Sequence, residues 1–415
     1  EILAQKIRKQ VHIRIIGDYD VDGVTSSHLF LTALRRVGAK VDVVIPHRIQ
    51  DGYGLSLHLL QQAKEDGVDT ILTCDNGIAA IDEIAWAKAQ KMTVLVTDHH
   101  AVPFEEHEGR RTEKKSLADA VVNPHQQDCG YPYKELCGAG VAWNVIRVLY
   151  ENYDMDKREA EDLLDFVAMA TVCDVMSLTG ENRILVKEGL KRIRHTKNIG
   201  LQALMQACNV QPENISAYHF GYVLGPCVNA TGRLDTARHA LRLFETGQET
   251  EAEEIARDLV DLNQERKELT LQGVEMAKKL CEEGGYENDP VLVLFLPDVH
   301  ESIAGLIAGR IREMYNRPVF VLTRGEEGVK GSGRSTENYS MYENMCGCAE
   351  LFTKFGGHPM AAGLSLPEEN VEKFRRKINE NCPLTVEEVC PDIHIDMAMP
   401  VGYASTELVH QFALL

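Results

Sequence analysis

The chain has 415 residues and a mass of 46.3 kDa, which at about 150 residues per domain predicts two or three domains. Hydrophobic residues make up 44%, and no stretch reaches the roughly 20 apolar residues that a bilayer-spanning helix needs, so a membrane protein is excluded. The formal net charge of −19 excludes a protein that coats nucleic acid through a basic surface. The 11 cysteines form no CxxC pair, which indicates reduced thiols in a cytoplasmic protein.

Short apolar runs alternate with segments of helical length in the first part of the chain. The runs cover residues 13–16, 41–45, 70–74, 93–96 and 120–122. This alternation is typical of a parallel β-sheet with helical crossovers. We therefore predict an α/β domain at 1–244, with its sheet at about 1–125 and a helical insertion at about 138–244, where apolar residues recur every three or four positions.

The second part of the chain begins with an acidic segment. Residues 245–289 hold fourteen acidic and five basic side chains with periodic leucines, which predicts one long, solvated connector helix. Strand-like runs at 291–295 and 318–322 bracket a helical segment at 302–316. We predict a smaller α/β domain at 290–400, and we interpret residues 401–415 as the start of a truncated C-terminal segment.

Three predicted strands run directly into acidic or histidine clusters. These are Asp18, Asp20 and Asp22 after the first strand, Asp75 after the third, and Asp98, His99 and His100 after the fourth. Ligands of open α/β sheets bind beyond the carboxyl ends of the strands, so we expect the clusters to meet. Carboxylates with imidazoles suit Mn²⁺ or Mg²⁺. Two such ions can activate water for displacement at phosphorus, which predicts a metallophosphoesterase.

Each cluster also has a simpler interpretation. A calcium loop is excluded because its twelfth position needs glutamate, whereas Leu29 stands twelfth from Asp18. A single strand-end aspartate is more often a helix cap or a turn residue. In an extended segment, however, Asp18, Asp20 and Asp22 would point the same way, and their repulsion would require a cation. Three clusters at three strand ends therefore favour one joint site.

Two further segments indicate a phosphate-binding role less specifically. Residues 183–242 hold nine basic and three acidic side chains, which fits a solvated helix surface or a wall that faces phosphates. Gly331–Ser335 lacks the Walker spacing, but its backbone N–H groups and one arginine could hold a terminal phosphate; 356–358 is predicted to be a second tight glycine turn.

Several strings resemble known families. GDYDVDGVTS, TCDNG, TDHH and TVCDV resemble the four motifs of the DHH phosphoesterase superfamily. Four further strings resemble the RecJ branch of single-strand-specific 5′ exonucleases: PHRIQDGYGLS, VVNPHQQDCGYPYKELCGAGVAW, ENRILVKEGL and NATGRL. HESIAGLIAGRI, GSGRS and FGGHPMAAG resemble the DHH-associated domain. The resemblance spans almost the whole chain.

The resemblance implies roles for particular residues. The implied ligands of two Mn²⁺ or Mg²⁺ ions are Asp20, Asp22, Asp75, His99 and Asp174. Asp75 would bridge the ions and His100 would contact the scissile phosphate, which makes these two the implied catalytic residues. Asp18 and Asp98 would support the ligands. The implied contacts to the DNA phosphates and the 5′ end are Arg48, Asn229, Arg233, His300, Ser332, Arg334 and His358.

The resemblance also implies an activity. The expected reaction is metal-dependent hydrolysis of single-stranded DNA from the 5′ end, which releases mononucleotides in DNA repair and recombination. The implied partners are single-strand-binding protein and a RecQ-type helicase, and the expected state is a monomer. One departure is Cys227, where the family usually has an arginine. The alternatives are a DHH phosphoesterase acting on short oligonucleotides or small nucleotides, and a non-catalytic DHH scaffold of a replication complex.

Overall fold

The structure of the chain is a computed structural model that describes residues 1–48, 51–107, 110–325, 328–385, 388 and 395–412. Two compact units divide the chain, Glu1–Lys267 and Glu268–Leu415. Across the described ranges, no helix combines the length and the apolar character needed to cross a membrane.

The first unit contains a five-stranded parallel sheet. The strands of the whole unit are β1 (Ile13–Ile16), β2 (Val41–Val44), β3 (Thr70–Cys74), β4 (Thr93–Thr97), β5 (Phe104–His107), β6 (Arg110–Glu113) and β7 (Ala120–Val122). The order across the parallel sheet is β2-β1-β3-β4-β7, and β5 pairs with β6 separately. Strands β1 and β3 are buried along their whole length, which explains their continuous apolar sequences.

Helices cover both faces of this sheet. They are α1 (Ile2–Arg8), α2 (Val21–Arg36), α3 (Leu57–Glu65), α4 (Ile81–Ala89), α5 (Gly138–Glu151), α6 (Leu164–Cys173), α7 (Gly180–Ile193), α8 (Ile199–Ala207), α9 (Ala217–His219), α10 (Gly225–Leu234) and α11 (Arg238–Glu245). A π-helix, Phe220–Leu224, joins α9 to α10. One core contains residues of α2, α5 and α6. A second contains residues of α3 and α4. The predicted parallel sheet and helical part are confirmed.

Helix α12 (Glu249–Gly284) is the long helix that the acidic segment predicts. Its 36 residues correspond to about 54 Å at 1.5 Å per residue. Ile255 and Leu259 belong to the core of the first unit, whereas Val274 and Cys281 belong to a core of the second. The helix is therefore solvated on only part of its surface.

The second unit is a smaller mixed sheet with helices. Its elements are β8 (Leu292–Phe295), α13 (Ala304–Tyr315), β9 (Val319–Gly325), β10 (Gly328–Arg334), α14 (Met341–Cys346), β11 (Lys354–Gly357), β12 (Ala361–Leu366), α15 (Val371–Glu380) and α16 (Thr406–Phe412). The strand order is β11-β12-β10-β9-β8, and only β8 and β9 pair in parallel within the described sheet. The predicted α/β fold with a second, smaller sheet domain is confirmed.

The glycine-rich segments of this unit are strands, so the prediction of glycine turns is wrong. Gly331 and Gly333 lie in β10, and Gly356 and Gly357 lie in β11. A Cβ atom on Gly331 would lie 2.3 Å from a side-chain atom of Leu322. The glycines of β10 thus serve close packing against neighbouring side chains rather than a reversal of the chain.

Candidate metal centre

The acidic and histidine residues lie at the carboxyl edge of the parallel sheet, as predicted. Asp18 follows β1, Asp75 follows β3, and Asp98 to His100 follow β4. These three strands are neighbours in the order β1-β3-β4, so their ends adjoin. Asp75 adopts a left-handed backbone conformation with φ 61°, which costs free energy for a residue other than glycine. The surrounding fold therefore holds Asp75 in a strained position.

The first acidic cluster is not extended throughout. Asp20 is the N-cap of α2, and its Oδ1 accepts a hydrogen bond from the Gly23 N–H at 3.0 Å. Asp22 already lies in the first helical turn, where its two carboxylate oxygens accept from the Gly138 and Ala139 N–H groups at 2.6 and 2.7 Å. The expectation of one extended segment through Asp18, Asp20 and Asp22 is wrong, because capping by Asp20 starts a helix there.

The structure nevertheless brings the predicted ligands together. Three groups each place one ligand atom per residue within 4.8 Å of the others: Asp22, His99 and Asp174; Asp18, Asp20 and Asp75; and Asp75, His99 and His100. His99 Nε2 lies 3.1 Å from Asp75 Oδ1 and 3.6 Å from the Oδ2 atoms of both Asp22 and Asp174. Asp75 and His99 each belong to two groups, which places them at the middle of the cluster.

Burial makes this concentration of negative charge unfavourable without a counter-charge. It raises the pKa of Asp18 and of Asp75 well above the usual range, and nearby aspartates add to the effect. Burial and the charge of Asp22 raise the pKa of Asp174 to about 8. Burial also lowers the pKa of His99, which favours a neutral imidazole able to bind a metal. Such an array calls for cations.

Unpartnered atoms provide a separate test of whether metal ions fit. Asp18 Oδ1, Asp75 Oδ1 and His99 Nε2 are buried and make no hydrogen bond in the described part of the chain, because the 3.1 Å approach of the last two atoms lacks hydrogen-bond geometry. Buried polar atoms normally have a partner, so these three require one. Carboxylate oxygens suit Mg²⁺ and Mn²⁺, and the imidazole nitrogen is better matched to Mn²⁺. The residues present therefore fit divalent cations.

Asp98 holds His100 in place. Its Oδ1 lies 2.8 Å from His100 Nδ1 and accepts from the backbone N–H groups of His99 and His100, while its Oδ2 accepts from Ile78 N–H. These bonds agree with the predicted supporting role. Burial opposes the charged form of His100, but the hydrogen bond and charge of Asp98 raise its pKa to about 9. In the metal-free protein, His100 is therefore protonated at neutral pH.

Tyr53 is a residue of this site that the sequence reasoning missed. Its hydroxyl donates to the carbonyl oxygen of Asp75 at 3.1 Å and lies 3.0 Å from His100 Nε2. Asn123, also missed, donates from Nδ2 to the His100 carbonyl oxygen at 2.9 Å. Both residues lie inside strings that carry the family resemblance, and that was the available signal. Tyr53 and Asn123 position His100 between them.

The predicted DNA contacts of the first unit lie around Tyr19, one residue before Asp20. The Arg48 guanidinium lies 4.8 Å from the centre of the Tyr19 ring. Burial raises the pKa of Tyr19, while the positive charges of Arg48 and Arg233 lower it, so both arginines are near the ring. Asn229 Oδ1 accepts from the Val21 N–H at 3.1 Å and so fixes the start of α2. Arg48, Asn229 and Arg233 therefore all lie beside the acidic cluster.

The other predicted DNA contacts belong to the second unit. Ser332 and Arg334 both lie near the first turn of α13, since a Cβ on Gly305 would be 3.5 Å from Ser332 Cβ and 3.0 Å from Arg334 Nη2. His300 lies 2.7 Å from Ser302 Oγ through its Nδ1 atom. His358 is exposed just after β11. The structure therefore brings Ser332 and Arg334 together near the start of α13.

Comparison with known proteins identifies the domains of the chain. Residues 12–171 match the DHH family, N-terminal domain, and residues 288–382 match the DHHA1 domain. Over 397 residues the chain is 37% identical to the single-stranded-DNA-specific exonuclease RecJ of Haemophilus influenzae, covering 91% of this chain and 67% of that protein.

Two solved structures extend the comparison. A crystal structure of exonuclease RecJ bound to manganese is similar with a TM-score of 0.78 and 32% identity, covering 91% of this chain and 92% of that chain. The crystal structure of RecJ from Thermus thermophilus in complex with Mg²⁺ is similar with a TM-score of 0.71 and 30% identity, covering 91% of this chain and 50% of that one. The chain thus spans about two thirds of the Haemophilus relative and half of the Thermus chain. It belongs to the RecJ family of single-stranded-DNA-specific exonucleases.

Proposed function

We propose that the chain is a metal-dependent exonuclease that hydrolyses the phosphodiester bonds of single-stranded DNA. The observation that carries the proposal is the shared donor set around Asp75 and His99, with its buried, unpartnered ligand atoms. The relatives named above are single-stranded-DNA-specific exonucleases, and one of their structures contains manganese. We further propose that cleavage starts at the 5′ end, releases mononucleotides and serves DNA repair and recombination.

The residues proposed to hold two Mn²⁺ or Mg²⁺ ions are Asp20, Asp22, Asp75, His99 and Asp174. When bound, such ions supply a hydroxide at neutral pH and stabilise negative charge on the phosphate oxygens. The Gly138 and Ala139 N–H groups orient the Asp22 carboxylate, and the Asp20 side chain caps α2. Asp18 shares a group with Asp20 and Asp75, which supports the proposal that it assists this half of the centre.

His100 is proposed to act on the scissile phosphate. Its protonated ring can donate a hydrogen bond to a phosphate oxygen as charge develops there, or give its proton to the leaving oxygen. Asp98 stabilises the protonated form through the 2.8 Å contact at Nδ1. The Tyr53 hydroxyl limits the movement of the ring from the Nε2 side. Asp98 and Tyr53 are therefore positioning residues for His100.

The arginines are proposed to hold the substrate. Arg48 and Arg233 lie close to the acidic cluster of the first unit and would contact the phosphate backbone. Ser332 and Arg334 of the second unit lie on β10 near the first turn of α13, where backbone N–H groups also favour an anion. We therefore propose that they bind a terminal phosphate of the substrate. His300 and His358 are proposed to contribute further phosphate contacts in that unit.

The test of the metal site is Asp75→Ala. We expect this variant to lose at least about 10³-fold of its turnover on 5′-phosphorylated single-stranded DNA, because the side chain common to two donor groups is gone. The matched control is Asp82→Ala, an exposed aspartate in the first turn of α4. Digestion that survives in Asp75→Ala would show that the site is wrongly assigned.

The same assays separate the alternative functions. Cleavage of a dinucleotide with no cleavage of a long strand would favour a small-substrate phosphoesterase. Failure of the wild-type chain to bind Mn²⁺ or Mg²⁺ by calorimetry would favour a non-catalytic scaffold.

The direction of cleavage needs its own experiment. Single strands carrying a block at either the 5′ or the 3′ end would be digested in Mn²⁺ and in Mg²⁺, with a blunt duplex as the control. We expect the 5′ block alone to stop the reaction and the products to be mononucleotides. Digestion of the 5′-blocked strand from its free 3′ end would overturn the proposed polarity.

The cellular setting is proposed from the resemblance. A RecQ-type helicase would supply single strands, single-strand-binding protein would cover them, and the chain would act as a cytoplasmic monomer. Analytical ultracentrifugation tests the monomer, and co-sedimentation with each purified partner tests the contacts. A stable dimer, or no binding to either partner, would contradict the corresponding part of this proposal.

A further inference from the structure

A cavity of about 910 Å³ lies in the first unit, away from the carboxyl edge of the sheet. We call it the helix-end pocket, since it is lined by the later turns of α2, the first turn of α6, the end of α7 and the start of α8. Its volume falls within the range of small-molecule sites, about 300–1,000 Å³. The lining residues used below are His28, Thr32, Arg35, Phe166, Lys197 and Phe244.

The floor of the helix-end pocket is aromatic and contains one unsatisfied polar atom. His28 is 6% exposed, and its Nδ1 is buried without a hydrogen-bond partner in the described part of the chain. Its ring packs 4.5 Å from Phe166 and 5.9 Å from Phe244, measured between ring centres. Burial lowers the pKa of His28 to about 3, so the ring is neutral. The neutral Nδ1 atom is buried and lacks a partner, so a hydrogen-bonding group that reached this inner wall of the pocket would satisfy it.

A second buried polar group borders the same floor. Asp165 is 4% exposed, and its oxygens accept from the Thr196 hydroxyl at 2.6 Å and from the Phe166 N–H at 2.9 Å. A carboxylate group has about four lone-pair sites, so it can accept further donors. The floor therefore consists of almost fully buried aromatic rings, with Phe166 and Phe244 each 2% exposed, beside hydrogen-bonding groups, a combination that nucleobase sites use.

The rim of the pocket holds five cationic side chains, Arg35, Arg36, Lys191, Arg192 and Lys197, beside three acidic ones, Asp162, Glu188 and Glu245. The acidic side chains on the rim already face a cation, as Glu245 does with Arg35 at 2.9 Å and Glu188 does with Lys191 at 2.6 Å. Such exposed pairs are weak and can exchange for a phosphate. Lys197 is exposed and forms no ion pair with any described residue. The rim therefore suits an anionic group.

The pocket shares two helices with the metal centre. Helix α2 begins at the ligands Asp20 and Asp22 and carries His28, Thr32 and Arg35 further on. At 1.5 Å per residue, Asp22 and Arg35 are about 20 Å apart along its axis. Helix α6 carries Phe166 near its start and has Asp174 as its C-cap. A ligand in the pocket would therefore contact both helices that end at metal ligands.

We propose that the helix-end pocket binds a nucleotide, with the base against the aromatic floor and the phosphate at the basic rim, as an effector site separate from the metal centre. This inference goes beyond the proposed nuclease activity and does not depend on it. The aromatic floor distinguishes a nucleotide from a simple anion, and the basic rim distinguishes it from a nucleoside.

The first experiment measures binding without metal. The full chain in EDTA is titrated into AMP carrying a fluorescent N-methylanthraniloyl group, and unlabelled AMP, adenosine and inorganic phosphate compete. We expect saturable binding, with adenosine and phosphate at least about tenfold weaker than AMP because each lacks half of the recognised groups. No saturable binding at millimolar concentration would overturn the proposal. Phosphate that competes as well as AMP would reduce the pocket to an anion site and would also overturn it.

Variants place the binding in the pocket. The double variant Lys191→Glu with Lys197→Glu reverses two exposed rim charges and is expected to weaken AMP binding at least about tenfold. Thr32→Phe, which fills the space from α2, is expected to weaken it as well. The control is Lys187→Glu, an exposed position of α7 outside the lining. Equal loss in the control, or loss of binding in Asp75→Ala alone, would place the nucleotide elsewhere.

The shared helices predict an effect on the metal centre. Because coupling between two sites is reciprocal, saturating AMP is expected to change Mn²⁺ affinity several-fold, and Mn²⁺ to change AMP affinity equally. Calorimetric Mn²⁺ titrations with and without AMP measure this shift in the wild type and in the Lys191→Glu, Lys197→Glu variant. The shift should disappear in the variant. An unchanged Mn²⁺ affinity in the wild type would contradict the effector role.

Discussion

The candidate site residues of the two units differ in burial and in how well their polar groups are stabilised by the surrounding protein. At the carboxyl edge of the first sheet, Asp18 and Asp75 are buried, carry raised pKa values and leave oxygens without partners. In the second unit, Ser332 and Arg334 lie half-exposed on β10, a strand paired on both sides by β9 and β12. One region is strained and short of positive charge, whereas the other is a regular sheet that carries the Arg334 guanidinium near the start of α13.

This difference indicates a division of work. A cluster of buried carboxylates is unfavourable until cations bind, so we infer that its residues serve the catalytic chemistry of the bound cations. An arginine on a regular strand needs no such compensation and can hold a phosphate without affecting the metals. Changes in the first region should therefore alter turnover, metal affinity and stability together, whereas changes in the second should alter substrate affinity alone.

The largest effect is expected from Asp174→Asn. This residue is the C-cap of α6 and lies 3.6 Å from His99 Nε2. The amide keeps the shape but removes the charge, so we expect turnover to fall by about 10³-fold and Mn²⁺ affinity to fall with it. Single-turnover digestion and calorimetry measure the two quantities. A variant within tenfold of wild-type turnover would contradict the proposed difference between the two regions, because the charge of Asp174 would then contribute little to catalysis.

The next effect concerns the space around Asp75. A Cβ on Gly138 would lie 2.7 Å from Asp75 Cβ, and the Gly138 N–H also donates to Asp22. Gly138→Ala is therefore expected to displace a ligand and lower turnover by about 100-fold, since displacements of 1 Å can have this effect. The control is Gly309→Ala in α13, where the added Cβ meets no described atom within 4 Å apart from its chain neighbours and the backbone of the helix itself.

The two alanine variants should also differ in stability. We expect Gly309→Ala to keep full turnover and to raise the free energy of unfolding by up to about 1 kcal/mol through helix propensity. Gly138→Ala should unfold at a lower temperature than wild type in thermal denaturation. Equal turnover in both variants would show that the packing around Asp75 tolerates movement.

The sequence predicted the half of the site that follows from strand order. Asp75 and His99 follow apolar runs that are recognisable as buried parallel strands, and the carboxyl ends of such strands meet at one edge. The same reasoning failed locally at Asp22, because it extended the strand through a residue that already belongs to a helix. Asp20 is a good N-cap residue, so that helix start was available as a local signal.

Other parts of the site depend on contacts that no local pattern contains. Asp22 and Gly138 are 116 positions apart, and their hydrogen bond exists only because α5 starts beside α2. Asp174 follows a helix as any cap would, and only the family resemblance singled it out. Tyr53 is neither an acid nor a histidine, so a search for ligands does not find it. Likewise, Gly331 to Arg334 form a strand through pairing with β9 and β12, and side chains of Leu322 and Phe320 occupy the space that a Cβ would need at Gly331 and Gly333.

A smaller effect, confined to binding, is expected from Arg334→Ala in the second unit. Loss of one charge-assisted hydrogen bond should weaken binding of a 5′-phosphorylated strand about tenfold or more, with kcat and Mn²⁺ affinity unchanged. A strand with a 5′ hydroxyl should be affected less. The control is Arg324→Ala on neighbouring β9, whose guanidinium pairs with Glu368 at 3.0 Å. A fall in Mn²⁺ affinity for Arg334→Ala would remove the distinction between the two regions.

The smallest effect is a pH dependence of the metal-free protein. The pKa of Asp174 is about 8 in the folded chain, against an ordinary value of 3.8. Between these values the folded state holds a proton that the unfolded state has lost, so the free energy of unfolding falls as pH rises. The raised pKa of His100, about 9, acts in the same direction above pH 6.5. In EDTA, the melting temperature should therefore drop by a few degrees between pH 6.5 and 8.

Three variants or conditions sharpen this last prediction. Asp174→Asn should flatten the slope because it removes one of the titrating groups, whereas Arg334→Ala in the second unit should keep the wild-type slope. Saturating Mn²⁺ should reverse it, since the metal binds the deprotonated carboxylates and stabilises the folded state more as pH rises. A melting temperature that rises with pH in EDTA would mean that these carboxylates are stabilised as anions by the protein itself. The metal centre would then differ from the Ser332 and Arg334 region in its residues, but its charged groups would be as well stabilised by the protein as those of the second unit.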